Sequence, residues 1–580
     1  MKRTKIVCTL GPASSDLKTI KNMIDEGMNV ARLNFSHGDH AEHKDRIDLV
    51  KQARRELNVP IAIMLDTKGP EIRTGLLKDG QKVELKKGQE FTLTTDDIVG
   101  DNTIIAVSHD KLPQDISVGD IILIDDGLIG LGVDSITGNE IHCVVTNGGV
   151  LGERKSINVP NVSISLPGLT EKDESDLLFG IEQGIDFVAA SFIRKSQDVI
   201  AIRHILDNNG GAGIKIISKI ESREGVDNID RIIDVSDGIM VARGDLGVEV
   251  PAEEVPLIQK DIIHKCNRLG KPVITATQML DSMIRNPRPT RAEVADVANA
   301  VFDGTDAVML SGESAAGEYP ALTVHTMANI VSVAEVSDEF KLRKRLRQHT
   351  HTVTNAVCEA TVDISANLET KAIIAATSSG NTARALSKFR PDAVILATSY
   401  KIQTIRQLCL SWGVYGLYVV EMSDSDTLVS ESVKTAVTAG WLHAGERIVI
   451  AAGIPVGGTS VTNMIRVHTV GDAIIKGVGT GKSANLNGIA RLVREGKTAN
   501  FHEGDILVVP KLTAENAYLA EEAAAVITEL DAEASKSYIV DLTDIPIIVS
   551  AAGVLDAIHD GALIRLDSST GMIHQGNARE

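Results

Sequence analysis

A chain of 580 residues is too long for one hydrophobic core, so three or four domains are expected. With 43% hydrophobic and 24% charged residues the composition is that of a soluble globular protein, and the longest apolar runs, such as Ile448 to Val456, fall short of the roughly 18 residues a membrane helix needs. A net charge of −19 argues against a nucleic-acid partner, which would call for a basic face. The start, MKRTKIVCTLGPASSD, has too short an apolar stretch for a signal peptide. The five cysteines, Cys8, Cys143, Cys266, Cys358 and Cys409, form no CxxC pair, and this odd, unpatterned set reads as reduced core thiols in a cytoplasmic protein.

Strand-like runs rich in Val, Ile and Ala recur with helix-like segments between them: Lys5–Thr9, Asn29–Asn34, Ile61–Asp66, Asp186–Phe192, Lys215–Ile220, Gly238–Ala242, Pro272–Thr277 and Asp306–Leu310. Eight alternating β/α units predict a closed (β/α)8 TIM barrel over residues 1–69 and 168–337. Polar residues cluster just past these runs, at Asn34-Phe35-Ser36-His37, Asp66-Thr67-Lys68, Lys219 with Glu221, Arg243-Gly244-Asp245, Thr277 with Gln278 and Ser311-Gly312-Glu313, which a barrel would gather on its C-terminal rim. Between the third and fourth runs, Gly75 to Leu166 alternates in the manner of antiparallel β, as in QKVELKKGQEFTLTT, so an all-β lid domain, itself a β-barrel, is predicted over residues 70–167. The pattern restarts after Asp338 as a second, open α/β domain over residues 338–472. The basic run KLRKRLRQH at Lys341 to His349 reads as a solvated interdomain helix face. A further C-terminal α/β module is expected over residues 473–580, with apolar runs Asp505–Val509, Ala524–Thr528 and Ile545–Ala551.

The densest chemistry lies between Ile217 and Val250. In ISKIES, Lys219 and Glu221 are two apart and share one face of a strand; Asp245 ends the neighbouring strand. A buried ion pair supporting the barrel is one reading of Lys219 and Glu221. The other is a metal and anion site, in which Glu221 and Asp245, with substrate oxygens and water, hold octahedral Mg2+ or Mn2+. The run from Arg243 to Gly247 also begins a helix whose free N–H groups would suit a carboxylate or phosphate.

In ARLNFSHG, Arg32 could clamp a phosphate with its planar fork, while Asn34 and Ser36 are neutral oxygen donors acceptable to a monovalent cation. Ser36 is equally readable as a helix N-cap, and His37, His40 and His43 as ordinary helix-start histidines without a carboxylate or thiol cage. In LDTKGPEIRTG, Asp66 and Thr67 offer rim oxygens and Arg73 sits at the entry to the lid. Thr277 either contacts substrate or caps the next helix. GVGTGKS at Gly477 to Ser483 is not a Walker loop, because Lys476 stands where its first Gly should be; a flexible linker is predicted there. Thr377, Ser378, Ser379, Gly380, Asn381 and Thr382 lie between a strand and a helix and form a candidate phosphate cradle for an effector.

Taken together, ARLNFSHG, LDTKGPEIRTG, ISKIES, ARGDLG, TATQML, NPRPTRAEVADVANAV and SGESAAGEYP, in this order, closely resemble the pyruvate kinase family from the first strand to about His468. The resemblance implies phosphoryl transfer from phosphoenolpyruvate to ADP, giving pyruvate and ATP, in a homotetramer of barrel, β lid and α/β domain. Carried over by motif, Arg32 would hold the transferring phosphate and Lys219 would stabilise its charge in the transition state. Glu221 and Asp245 would hold Mg2+; the amides of Gly244 and Asp245, with Thr277, would receive the substrate carboxylate. Asn34, Ser36, Asp66 and Thr67 would hold K+, and Glu71 accompanies K+ dependence in the family. Arg73 and the lid residue Lys155 would meet the nucleotide, and Thr277 could help relay a proton to the enolate. The tail resembles the mobile phosphohistidine domain of phosphoenolpyruvate-utilising enzymes but reads DAEASKSYIVDLTDIP where that domain carries its histidine, which implies a structural or interface role. The family's sugar-phosphate effector sits around Thr377–Thr382 and the later turn GIPVGGTSVTN. A metal-dependent aldolase or lyase on a related barrel, and a catalytically dead effector-binding scaffold, are the competing readings.

Overall fold

A computed structural model describes residues 2–344, 352–422, 424–443, 445–454, 461–470, 475–494, 500–540, 542 and 544–575. The chain divides into two compact units, Met1–Asn367 with Ile373–Ser432 and Ile450–Ile465, and Leu368–Ala372 with Val433–Val449 and Arg466–Glu580. Among the described residues no helix is long and apolar enough to cross a membrane.

In the first unit, eight parallel strands close into a barrel: Lys5–Leu10, Val30–Asn34, Ala62–Asp66, Phe187–Ala190, Lys215–Ile220, Gly238–Ala242, Val273–Ala276 and Ala307–Leu310. Closure runs from the first strand to the last, with Lys5 opposite Ala307. Each strand alternates between two apolar environments, which is why the runs are continuously hydrophobic. Outward residues such as Ile6, Leu33, Leu65, Val188 and Ile216 pack under the helices. Inward residues, among them Val7, Val30, Met64, Phe187, Ala189, Ile217 and Met240, fill the lumen.

The inserted all-β domain is present, but as a seven-stranded sheet whose order does not close among the described residues rather than the β-barrel expected; it runs from Ile72–Arg73 to Ser156–Asn158 over a core that includes Phe91, Leu93, Ile122, Ile124, Leu131 and Ile141. It is not wholly antiparallel: Glu90–Thr94 pairs in parallel with Ile104–Ala106. Also in the first unit, strands Val414–Tyr418 and Val394–Ser399 lie side by side in parallel, part of an α/β sheet. This segment of the chain seats on the N-terminal end of the barrel. Lys5 donates to the Val414 carbonyl at 2.6 Å, Arg406 meets Asp186 at 2.7 Å, Arg390 meets Asp306 at 2.8 Å, and Leu410 packs among the lumen residues.

The second unit contains an eight-stranded mixed sheet ordered Ile475–Lys476, Met572–Gln575, Leu563–Asp567, Asn485–Leu492, Ile506–Val509, Ala525–Thr528, Pro546–Val549, Val478–Gly481. Its three apolar runs are strands as expected. The flexible linker expected at Gly477 to Ser483 is instead an edge strand: Val478 to Gly481 pair antiparallel with Val549 to Pro546. The misreading came from the glycines, which look like slack in a sequence. Here the backbone at Gly477 runs so close to the neighbouring strand that an added Cβ would lie 2.5 Å from the Val549 carbonyl oxygen. The basic run begins in helix Asp338–Lys344, and the rest of it lies outside the described residues.

Candidate active site

The alternation that fills the lumen also builds the site. One step beyond Val7, Val30, Met64, Ala189 and Ile217 in each strand's inward series come Thr9, Arg32, Asp66, Ser191 and Lys219. These five side chains are buried, and they bond to one another. Arg32 Nε donates to Asp66 Oδ2 at 2.6 Å and its Nη1 to Thr9 Oγ1 at 2.8 Å. Lys219 Nζ donates to Asp66 Oδ1 at 3.0 Å and Ser191 Oγ at 2.7 Å, and lies 3.0 Å from Glu221 Oε1. Burial works against the charges on Lys219 and Asp66, but their mutual attraction, with Arg32 and Glu221, prevails: the ammonium is held above the usual lysine range and Asp66 below the usual carboxylate range.

Glu221 differs. Burial pushes its carboxyl up to about 7 against the pull of Lys219, and the neighbouring charge of Asp245 adds to the rise. Asp245 is likewise raised, by burial first, and hydrogen-bonds Glu221. Two buried carboxyls in contact are poorly stabilised as two anions unless a cation joins them. Among the described residues no cluster of three or more His, Cys, Asp or Glu side chains is placed to hold a metal. A divalent cation held by this pair would have to draw its remaining oxygens from water and substrate, a coordination that Mg2+ accepts.

Beside the acid pair, Thr277 and Gln278 follow the seventh strand with φ of +70° and +53°, conformations that cost a residue with a Cβ energy and that concentrate at functional sites. Arg243 holds this turn. Its guanidinium donates to the Thr277 carbonyl at 2.7 Å and the Ala276 carbonyl at 3.2 Å, while both Asp296 oxygens meet it at 2.7 Å. Arg243, grouped in the sequence with the rim chemistry, is thus spent on Asp296 and the backbone of the Thr277 turn. Thr277 does not cap the helix that follows; its Oγ1 accepts from the Gly244 amide at 2.7 Å and donates to the Ala276 carbonyl at 2.6 Å. A Cβ built on Gly244 would make only ordinary contacts, 3.6 Å and beyond, with Thr277.

Asn34 and Asp66 are register neighbours on adjacent strands, and Asn34 Oδ1 accepts from the Ser36 amide at 3.2 Å. Ser36 is not the helix N-cap: Asp39 takes that place, accepting from the Glu42 amide at 2.9 Å. His40 Nε2 lies 2.7 Å from Asp176 and the His43 ring stacks 3.9 Å from Phe35, so both brace the loop. Asn34 and Ser36 face a cleft of about 550 Å3 between the rim and the lid, with Glu71, Arg73, Lys155 and Asp245 also on its walls. Arg73 pairs with Glu71 at 2.7 Å and Lys155 with Asp125 at 2.9 Å.

The loop Thr377–Thr382 stands apart from this cleft. Gly380 donates to Thr377 Oγ1 at 3.0 Å, Arg384 donates to the Ser379 carbonyl at 2.9 Å and Asn381 Oδ1 at 2.7 Å, and Thr382 Oγ1 lies 2.8 Å from Thr462 Oγ1. The middle of the later turn, residues 455–460, lies outside the described residues. Sequence reading missed Ser191 and Phe192. Ser191 extends the inward series Phe187, Ala189, and counting that parity past the end of the fourth strand would have found it.

Three family models match the chain: the barrel domain of pyruvate kinase over residues 1–324, the α/β domain of pyruvate kinase over residues 355–468, and the mobile domain of PEP-utilising enzymes over residues 501–571. The pyruvate kinase of Sporosarcina psychrophila is 47% identical over 588 residues, covering 100% of both chains. That of Geobacillus stearothermophilus is 47% identical over 583 residues, 100% of this chain and 99% of its own. A pyruvate kinase of Clostridium acetobutylicum is 53% identical over 474 residues, which is 100% of its own length but 81% of this chain.

Proposed function

The chain belongs to the pyruvate kinase family and transfers a phosphoryl group from phosphoenolpyruvate to ADP, and on that premise we propose which residues do the work. Arg32 and Lys219 flank the migrating phosphoryl group, Arg32 holding it and Lys219 meeting the charge that grows on it in transit. The supporting observation is the single buried layer in which a guanidinium and an ammonium are both anchored on Asp66. Phosphoryl transfer asks a protein for positioning and charge neutralisation more than for covalent chemistry, and this layer supplies both.

Glu221 and Asp245 would hold Mg2+ or Mn2+, and Asn34, Ser36, Asp66 and Thr67 would hold K+; when bound, the two cations supply positive charge against the phosphoryl oxygens. The substrate carboxylate would sit at the amides of Gly244 and Asp245 with Thr277, taking over the Gly244 N–H now given to Thr277 Oγ1. Thr277, held by its strained turn, would help pass a proton to the enolate carbon. Arg73 and Lys155 would receive the nucleotide from the lid side of the cleft, where both are partly exposed. Thr377–Thr382 would cradle a phosphorylated effector, the assembly would be a homotetramer, and the location cytoplasmic. The boundaries proposed are residues 1–69 and 168–337 for the barrel, 70–167 for the lid, 338–472 for the α/β domain and 473–580 for the tail. A structural or interface role for the tail agrees with a relative named pyruvate kinase that is matched over its whole length by only part of this chain.

The test is pyruvate formation from phosphoenolpyruvate, ADP and Mg2+, with and without K+. Activity that rises with K+ is expected, and Lys219→Met should cut turnover by several orders of magnitude while phosphoenolpyruvate binding stays nearly intact, because the charge it meets develops only in transit. Unchanged turnover in that variant would reject the assignment.

A further inference from the structure

Ser191 is the first residue past the fourth barrel strand, 4% exposed, and bonded on two sides. Its Oγ accepts from Lys219 Nζ at 2.7 Å. A hydroxyl has one proton to give, and here the Thr67 carbonyl at 2.6 Å takes it ahead of Asp66 Oδ1 at 3.2 Å. The Ser191 amide donates in turn to Thr67 Oγ1 at 3.1 Å, locking the two strand exits together. An ammonium has three N–H groups, and those of Lys219 have three partners: the carboxylates of Asp66 and Glu221, and Ser191. The next residue, Phe192, has φ of +54° and donates its amide to Glu221 at 2.6 Å, so one two-residue turn reaches both Lys219 and Glu221. The neighbouring loop leaves this turn little freedom: a Cβ built on Gly69, itself at φ +70°, would lie 2.9 Å from Ser191 Cβ and from the Phe192 ring.

We propose that Ser191 is a positioning residue that aims the Lys219 ammonium and ties it to Thr67, so that the monovalent-cation ligands and the transition-state lysine are set through one shared hydroxyl. This rests on the roles given above to Lys219 and Thr67. With Ser191 removed, both remaining anchors of Lys219 are acidic, and the ammonium settles toward them and away from the phosphoryl path. The loss falls on turnover and on the response to K+, not on substrate binding.

Ser191→Ala, Lys219→Met and the double variant separate this from a packing effect. Ser191→Ala should lower kcat roughly 10- to 100-fold, the range expected for a hydrogen bond to a charged group. It should leave the phosphoenolpyruvate KM nearly unchanged and raise the K+ concentration for half-activation. Ser191→Cys, which keeps a weaker acceptor, should fall between. In the Lys219→Met background, Ser191→Ala should change kcat by less than about twofold, because the group it acts through is gone. Equal losses in both backgrounds, or no loss of kcat in Ser191→Ala, overturn the proposal alone. Wild-type turnover in Lys219→Met overturns the assigned role of Lys219 and the proposal with it.

Discussion

Replacing Asp66 by Asn removes one charge and almost no volume, from a point where two cations meet. In the native protein the Asp66 carboxylate is fully buried, with Arg32 at 2.6 Å on one oxygen and Lys219 at 3.0 Å on the other. An asparagine has one oxygen and one NH2 group, so it can accept from only one of these cations and must turn a donor toward the second. Removing one partner of a buried ion pair costs about 3–5 kcal/mol, since the remaining charge is left uncompensated. The incoming phosphoryl group brings negative charge of its own to both cations, so with the K+ site kept saturated that figure sets the upper scale of the loss in catalysis. At about 1.4 kcal/mol per factor of ten, kcat/KM should fall by up to roughly two to three and a half orders of magnitude. The assay is steady-state pyruvate formation across a phosphoenolpyruvate titration at saturating ADP, Mg2+ and K+, beside a thermal melt of the same sample. A folded Asp66→Asn enzyme within about threefold of wild-type kcat/KM would show that Arg32 and Lys219 hold their places without their shared anion, and the account of the charged layer would be wrong.

Gly244→Ala isolates the space needed by the ligand from that needed by the protein. The new Cβ meets Thr277 at no closer than 3.6 Å, so the melting temperature should hold, while the phosphoenolpyruvate KM rises at least about tenfold because the carboxylate can no longer approach the amide; an unchanged KM would remove Gly244 from the substrate site. Lys5 offers a pH test away from the chemistry. It is buried against the Val414 carbonyl, near Glu335 and Lys2, and burial lowers its pKa from 10.5 to about 8. A lysine whose folded pKa is lowered binds fewer protons folded than unfolded between those values, so stability rises with pH across that window. The wild-type urea midpoint, measured relative to that of Lys5→Met, should therefore rise from pH 7.5 to 9.5, because the buried cysteines that also titrate in this window are common to both proteins; parallel profiles would show that Lys5 keeps its proton when buried. Arg73→Ala and Lys155→Ala should each raise the ADP KM more than the phosphoenolpyruvate KM, and the reverse order would move the nucleotide elsewhere in the cleft.

The barrel was legible because its strands are buried on both faces and so announce themselves as apolar runs, each closing on polar residues at one end. Lys219 and Glu221 could be placed together for the same reason: their spacing of two has only one meaning on a strand. What the sequence hid were roles decided by atoms far along the chain. Arg243 stands beside Gly244 and Asp245 and looks equally chemical, yet Asp296 and the carbonyls of the strained Thr277 turn claim its guanidinium. Ser36 was readable as a cap until Asp39 was found capping the helix. The edge strand at Val478–Gly481 escaped because glycines are silent about why they are small. Ser191 was in reach, and was passed over because it follows its strand with no charge to draw the eye.

Leu410 gives the barrel an unusual dependence. The side chain sits among the lumen residues at the end opposite the chemistry, although it lies well beyond the eighth strand. During synthesis all eight staves can therefore leave the ribosome while the floor of the cylinder still lacks its stopper. The chain must be made at least as far as Leu410 before that interior is sealed. A fragment cut after the last barrel helix would lack Leu410 and leave uncovered the apolar lumen residues it packs against.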